Sequence, residues 1–260
     1  MASFIPVPPL SSETLFHIGE FGVRNTLIMA WMAMAVLFII ALLGLATGYK
    51  LSPRGRFQVL LEMIVGGLHD FFDSIFQNEK MTRRFFPLLA SIFLFIIIGN
   101  WMGILPGVGS ITIQGMHNGE MEAIPIFRSM NADVNMTLVF AIVAIIFTQV
   151  VGLATIGILP HAGKYFVMPW KKPYVLGTFI GILEFIGEFA RIISFTFRLF
   201  GNIFAGEVLL VVVSSLVPYL VPIPFLGLEI FVGFIQAMVF SMLTAVFILM
   251  AMQSHGGEHA

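Results

Sequence analysis

A chain of 260 residues that is 58% hydrophobic and only 10% charged does not fit a soluble domain, in which about a quarter of the residues carry charge. Its mean hydropathy of +1.00 points to a membrane protein. The formal net charge of −1 leaves no basic footprint for nucleic acid, and the absence of cysteine excludes disulfides and thiolate metal sites.

A hydrocarbon core about 30 Å thick takes about 20 apolar residues per helix. Residues 1–24 hold Glu13, Glu20 and a single Arg24 and read as an N-terminal segment outside the membrane. Residues 25–49 are uncharged and form the first expected span. A cleaved signal peptide has a basic start and a shorter apolar core, so this span reads as a retained helix. Residues 57–78 differ, because apolar side chains recur on one helical face while Glu62, Asp70 and Asp73 mark the other. Those carboxylates are costly in lipid, so the segment is expected to lie in the interface plane as an amphipathic helix.

Residues 85–116 and 136–160 are again uncharged and are expected to form a two-span hairpin over 85–160. Asp133 and Asn135 either cap the second of these spans or lie at a channel mouth, and Gly99 and Gly103 have the spacing of close helix packing. From 174 to 217 there is no proline, which predicts one helix about 66 Å long. That is about twice the hydrocarbon thickness, so the helix must tilt, bend or extend beyond the bilayer. Pro218, Pro222 and Pro224 mark a turn, after which a last helix is expected over about 225–252.

Basic residues fall on one side of this pattern: Lys50, Arg54, Arg56, Lys80, Arg83, Arg84, His161, Lys164, Lys171 and Lys172. The opposite segments carry Glu13, Glu20, Glu120, Glu122 and Asp133 against only Arg24 and Arg128. The positive-inside rule then puts the N-terminus outside (periplasmic) and the C-terminus in the cytoplasm. The expected fold is an all-α integral membrane protein: five transmembrane helices plus one in-plane helix, with a long tilted hairpin over 174–252.

That hairpin holds Glu184, Glu188, Arg191, Arg198, Asn202, Glu207, Glu229 and Gln236. Ionisable groups at membrane depth are functional candidates, because each needs a partner or water. At about 100° per residue, Glu184, Arg191, Arg198 and Asn202 share a face, and Glu207 points to the opposite one. Antiparallel pairing that sets Arg198 level with Gln236 also sets Glu207 level with Glu229, about 10–14 Å toward the outside. Glu188 and Arg191, three apart, have the spacing to neutralise each other. Glu184 reads equally as a cytoplasmic channel group or as a second partner of Arg191.

The run FRLFGNIFAGE at 197–207 closely resembles the signature of subunit a of the F-type rotary ATP synthase. Similar agreement extends to IQAMVFSMLTAVF near the C-terminus, ADVNMTL at 132–138 and GNWMGILPG at 99–107. The resemblance covers nearly the whole chain past residue 25. It implies that Arg198 is the essential arginine facing a rotating ring of c subunits, with Gln236 packed close to it and Asn202 on its face. It implies that Glu207 and Glu229 line an outer aqueous half-channel, where family members often hold one histidine and one carboxylate. Further implied partners are the subunit b stalk, the other synthase subunits and the lipid bilayer, in a cell inner membrane.

No cofactor or metal is expected, since the six histidines show no ligand spacing. No GxxxxGK[ST] loop is present, so direct nucleotide binding is not expected and the chain reads as a non-catalytic, proton-translocating subunit. The alternative is an ion-coupled secondary transporter, which would usually show internal repeats and broken helices. A passive scaffold, in which Arg198 is dispensable, is a third reading.

Overall fold

The computed structural model describes residues 9, 11–46, 55–117, 120–158, 174–218 and 220–252. The expected basic positions Lys50, Arg54, His161, Lys164, Lys171 and Lys172 lie outside the described residues. Six long helices carry the fold: α1 (Asn25–Ala46), α2 (Arg56–Phe76), α3 (Glu79–Gly103), α4 (Val134–Ile156), α5 (Tyr174–Leu216) and α6 (Pro222–Met252). All but α2 contain a stretch long and apolar enough to cross a membrane. The protein is therefore an all-α integral membrane protein.

The boundaries follow local chemistry. Asn78 caps α3, its Oδ1 accepting from the backbone N–H of Lys80 at 3.1 Å and of Met81 at 3.3 Å. The helix therefore starts at Glu79, ahead of the apolar run that begins at 85, and Lys80, Arg83 and Arg84 form its first turns. It also ends sooner than the uncharged stretch suggests, at Gly103. The chain then folds into an antiparallel hairpin of β3 (Thr112–His117) and β4 (Glu120–Pro125) and a 3₁₀ turn, Met130–Ala132. A second hairpin, β1 (Thr14–Ile18) with β2 (Phe21–Arg24), turns at Gly19, whose φ of +66° favours glycine. The unbroken helix expected over 174–217 is present as 43 residues, Tyr174–Leu216.

The core lies among α3, α4, α5, α6 and the C-terminal half of α2. Phe72, Leu89, Ile96, Leu199, Phe240 and Ile248 are fully or almost fully buried there. The helix α2 uses Leu68, Phe72 and Phe76 for this contact, while Val59, Leu60, Met63, Ile64 and Val65 remain exposed. A hydrogen bond of 2.8 Å from Thr82 Oγ1 to Asp73 Oδ1 ties α2 to α3.

Gly99 and Gly103 do permit close packing, but against the 3₁₀ turn rather than another helix. A Cβ at Gly99 would overlap the Met130 side chain, and one at Gly103 would press on Ser129. Asp133 caps α4 through the Asn135 N–H at 2.8 Å. The same buried carboxylate also accepts from Ser12 Oγ and from Thr26 Oγ1 at 3.1 Å. Asp133→Ala removes the cap and strands these donors, and is expected to cost about 2–3 kcal/mol. Thermal unfolding of the purified chain in detergent measures it, with Asp133→Asn expected to lose less.

Candidate functional site

The hairpin of α5 and α6 builds the site, and its two faces differ sharply. Phe195, Thr196, Leu199, Phe200, Ile203 and Gly206 are buried against the rest of the chain. On the other side Ala190, Ile193, Ser194, Phe197, Arg198, Asn202 and Ala205 are exposed at helical spacing. Arg198 is thus a single cation within an apolar, small-residue stripe. Its one hydrogen bond among the described residues runs from Nη2 to Ser194 Oγ, at 3.3 Å, and no carboxylate of the described chain pairs with it.

Asn202 shares that face, and its Nδ2 donates to Gln236 Oε1 at 2.6 Å. Gln236 is buried, and its Nε2 has no partner among the described residues. The glutamine therefore pairs one turn along from the guanidinium. Toward the N-terminal end of α5, Arg191 Nη1 donates to Glu188 Oε1 at 2.6 Å, and the guanidinium lies 4.9 Å from the centre of the Phe247 ring. That is the mutual neutralisation expected from their spacing. Glu184 is half-buried and has no ion-pair partner among the described residues.

Nine residues beyond Arg198, Glu207 points to the inward side. It lines a cavity of about 160 Å³ together with Glu229, Asn100, Arg128 and Ser129, walled by Ile203, Leu210 and Val211. The two glutamates thus share a level, as antiparallel arithmetic requires. The reason they can do so is Gly206: a Cβ there would overlap the Glu229 carboxylate. Glycine opens the space on α5 into which the α6 side chain reaches.

Two features of this cavity were not expected from the sequence. Arg128, only 2% exposed, donates through Nε to Glu207 Oε1 at 3.1 Å. Its Nη2 donates to the Pro9 carbonyl at 2.7 Å and its Nη1 to the Ser11 carbonyl at 3.2 Å. Beside it runs a chain of amides. Asn131 Nδ2 donates to Asn100 Oδ1 at 2.6 Å, and Asn100 Nδ2 donates to the Gly233 carbonyl at 3.0 Å. The Ser129 hydroxyl and Asn131 Oδ1 are buried without partners among the described residues. Orphaned polar atoms beside a cavity that Glu207, Glu229 and Asn100 line are where ordered water is expected.

The structure thus separates two environments: an outward-facing arginine without an acid partner among the described residues, and an inward pocket holding two carboxylates, one of them ion-paired. The family described as ATP synthase A chain matches residues 27–249. ATP synthase subunit a of Syntrophobacter fumaroxidans is 32% identical over 88% of this chain and 84% of its own length. The subunits a of Geotalea daltonii and Desulfosudis oleivorans are 31% and 33% identical, each over 87% of this chain and 87% of its own length. The chain belongs to the ATP synthase A chain family, that of the proton-channel subunit a of the F-type ATP synthase.

Proposed function

We propose that this chain forms two offset aqueous half-channels and that Arg198, set between them, couples proton flow to rotation of a ring of c subunits. The carrying observation is Arg198 itself. A guanidinium at membrane depth needs an anionic partner or water. Arg191 is satisfied by Glu188 and Arg128 by Glu207, whereas Arg198 has only a serine hydroxyl among the described residues. Its partner therefore comes from another chain, and the exposed apolar stripe around it suits a helix of the ring.

A ring carboxylate crossing lipid must be neutral, because a bare charge there is costly. Beside Arg198 the opposite charge favours its ionised form, so the proton is released there. Arginine suits the task because it keeps its proton under any realistic condition. Each charge moved through 100 mV supplies about 2.3 kcal/mol, so several protons must pass for each ATP made. The cavity holding Glu207 and Glu229 serves as the outer half-channel, and Glu184 lies along the inner one. The Asn202–Gln236 pair holds α5 and α6 together between the two. Nucleotide chemistry takes place elsewhere in the complex, and this chain is not catalytic. The N-terminus lies outside, the C-terminus in the cytoplasm, and α2 rests in the interface plane. A subunit b stalk holds the chain against the turning ring.

Coupling is the test. Complexes carrying Arg198→Ala are expected to assemble but to lose both ATP synthesis and ATP-driven proton pumping. Retained coupling would rule the reading out in favour of a scaffold. Ion transport by the isolated chain, without a ring, would favour the secondary transporter.

A further inference from the structure

The cavity contains two carboxylates in unlike settings. Arg128 donates to both oxygens of Glu207, through Nε at 3.1 Å and 3.4 Å and through Nη2 at 3.3 Å. The carbonyls of Pro9 and Ser11 take further N–H groups of the same guanidinium. A planar fork held at one edge by a carboxylate and at the other by two carbonyls cannot turn away, and it does not deprotonate. Ser12 and Glu13 fasten the segment in turn: Ser12 Oγ donates to Asp133, and Asn25 Nδ2 donates to Glu13 Oε2 at 3.3 Å. Glu229, on α6, faces Gly206 and has no cationic partner among the described residues. Pro9 and Ser11 precede the residues matched to the family, 27–249.

We infer that the N-terminal segment, through Arg128, positions Glu207 as a fixed anion of the outer path and leaves Glu229 as the carboxylate that exchanges protons. This rests on the reading of the cavity as the outer half-channel. If Glu207 took up a proton, Arg128 would be left as a buried, uncompensated cation beside the path and would repel the next proton. Protonation of Glu229 strands no such charge. Arg128 is therefore a positioning residue, and its task is to cancel and orient Glu207.

The test uses the assembled complex in vesicles and reads passive proton flow through the membrane sector. Glu207→Gln and Arg128→Gln each leave one buried charge unpaired, and each is expected to reduce flow about tenfold or more. The double variant removes both charges and is expected to recover flow to within about threefold of wild type, the coupling that marks an interacting pair. Removal of residues 1–11 is expected to reduce flow in the wild-type background but not in the double variant, where Arg128 no longer needs holding. Glu229→Gln is expected to stop flow in either background. A double variant that assembles but conducts no better than the worse single variant overturns the inference, since Glu207 would then carry protons itself. One that fails to assemble overturns it as well, since the pair would then hold the fold rather than position the path. Absence of proton flow in the wild-type complex would instead overturn the half-channel reading.

Discussion

Gly206→Ala is expected to reduce proton flow by about one to two orders of magnitude, the scale on which small misplacements of a reacting group act. The added methyl would occupy the position of the Glu229 carboxylate. Because that carboxylate is the end of a flexible side chain, it moves and the backbone does not. Alanine is also the better helix former by about 1 kcal/mol, so thermal stability is expected to hold or rise while conduction falls. Gly227→Ala supplies the control, since a Cβ at Gly227 meets nothing within 4 Å. Proton flow unchanged by Gly206→Ala would mean that the carboxylate position does not matter to the path.

Arg198→Ala is expected to do more than uncouple. If the guanidinium is a barrier between two proton paths, its removal leaves both half-channels in place and lets ring carboxylates pass without being forced to ionise. Passive proton flow then persists while driven transport falls to background. A proton-carrying arginine would give the reverse, loss of passive flow as well. Arg198→Lys is expected to be nearly as damaging, because a desolvated ammonium can lose its proton and lacks the planar fork. Passive proton movement after removal of the catalytic sector separates the two roles.

Much of this arrangement is legible in the residues themselves. Period and charge are enough to find five spans, to set α2 apart, and to anticipate α5 as one unbroken helix. Helical arithmetic separates Arg198 and Asn202 from Glu207, because a single straight helix obeys its own period. What escapes the arithmetic depends on contacts between distant segments. Arg128 reads as a lone loop charge, and nothing local shows that it folds inward onto Glu207, 79 positions away. Gln236 hydrogen-bonds Asn202, one turn beyond Arg198, because helix rotation and side-chain reach, which the arithmetic does not fix, decide the partner. The β3–β4 hairpin did leave a signal: Asn118–Gly119 separates two short runs, a strong turn dipeptide. It lies hidden at the end of an uncharged stretch that reads as continuous helix.

On the proposed function, the Arg198 face of α5 meets a moving partner while the Glu207 face lines a stationary cavity. The chain contains no cysteine, so introduced cysteines report without background. Ser194→Cys and Ala205→Cys lie on the exposed stripe, and Leu210→Cys lies on the cavity wall. Paired with cysteines along the outer helix of the c subunit, the first two are expected to form disulfide-linked products in the assembled complex, and Leu210→Cys is not. Efficient crosslinking at Leu210 with none at Ser194 would contradict the assignment of the two faces.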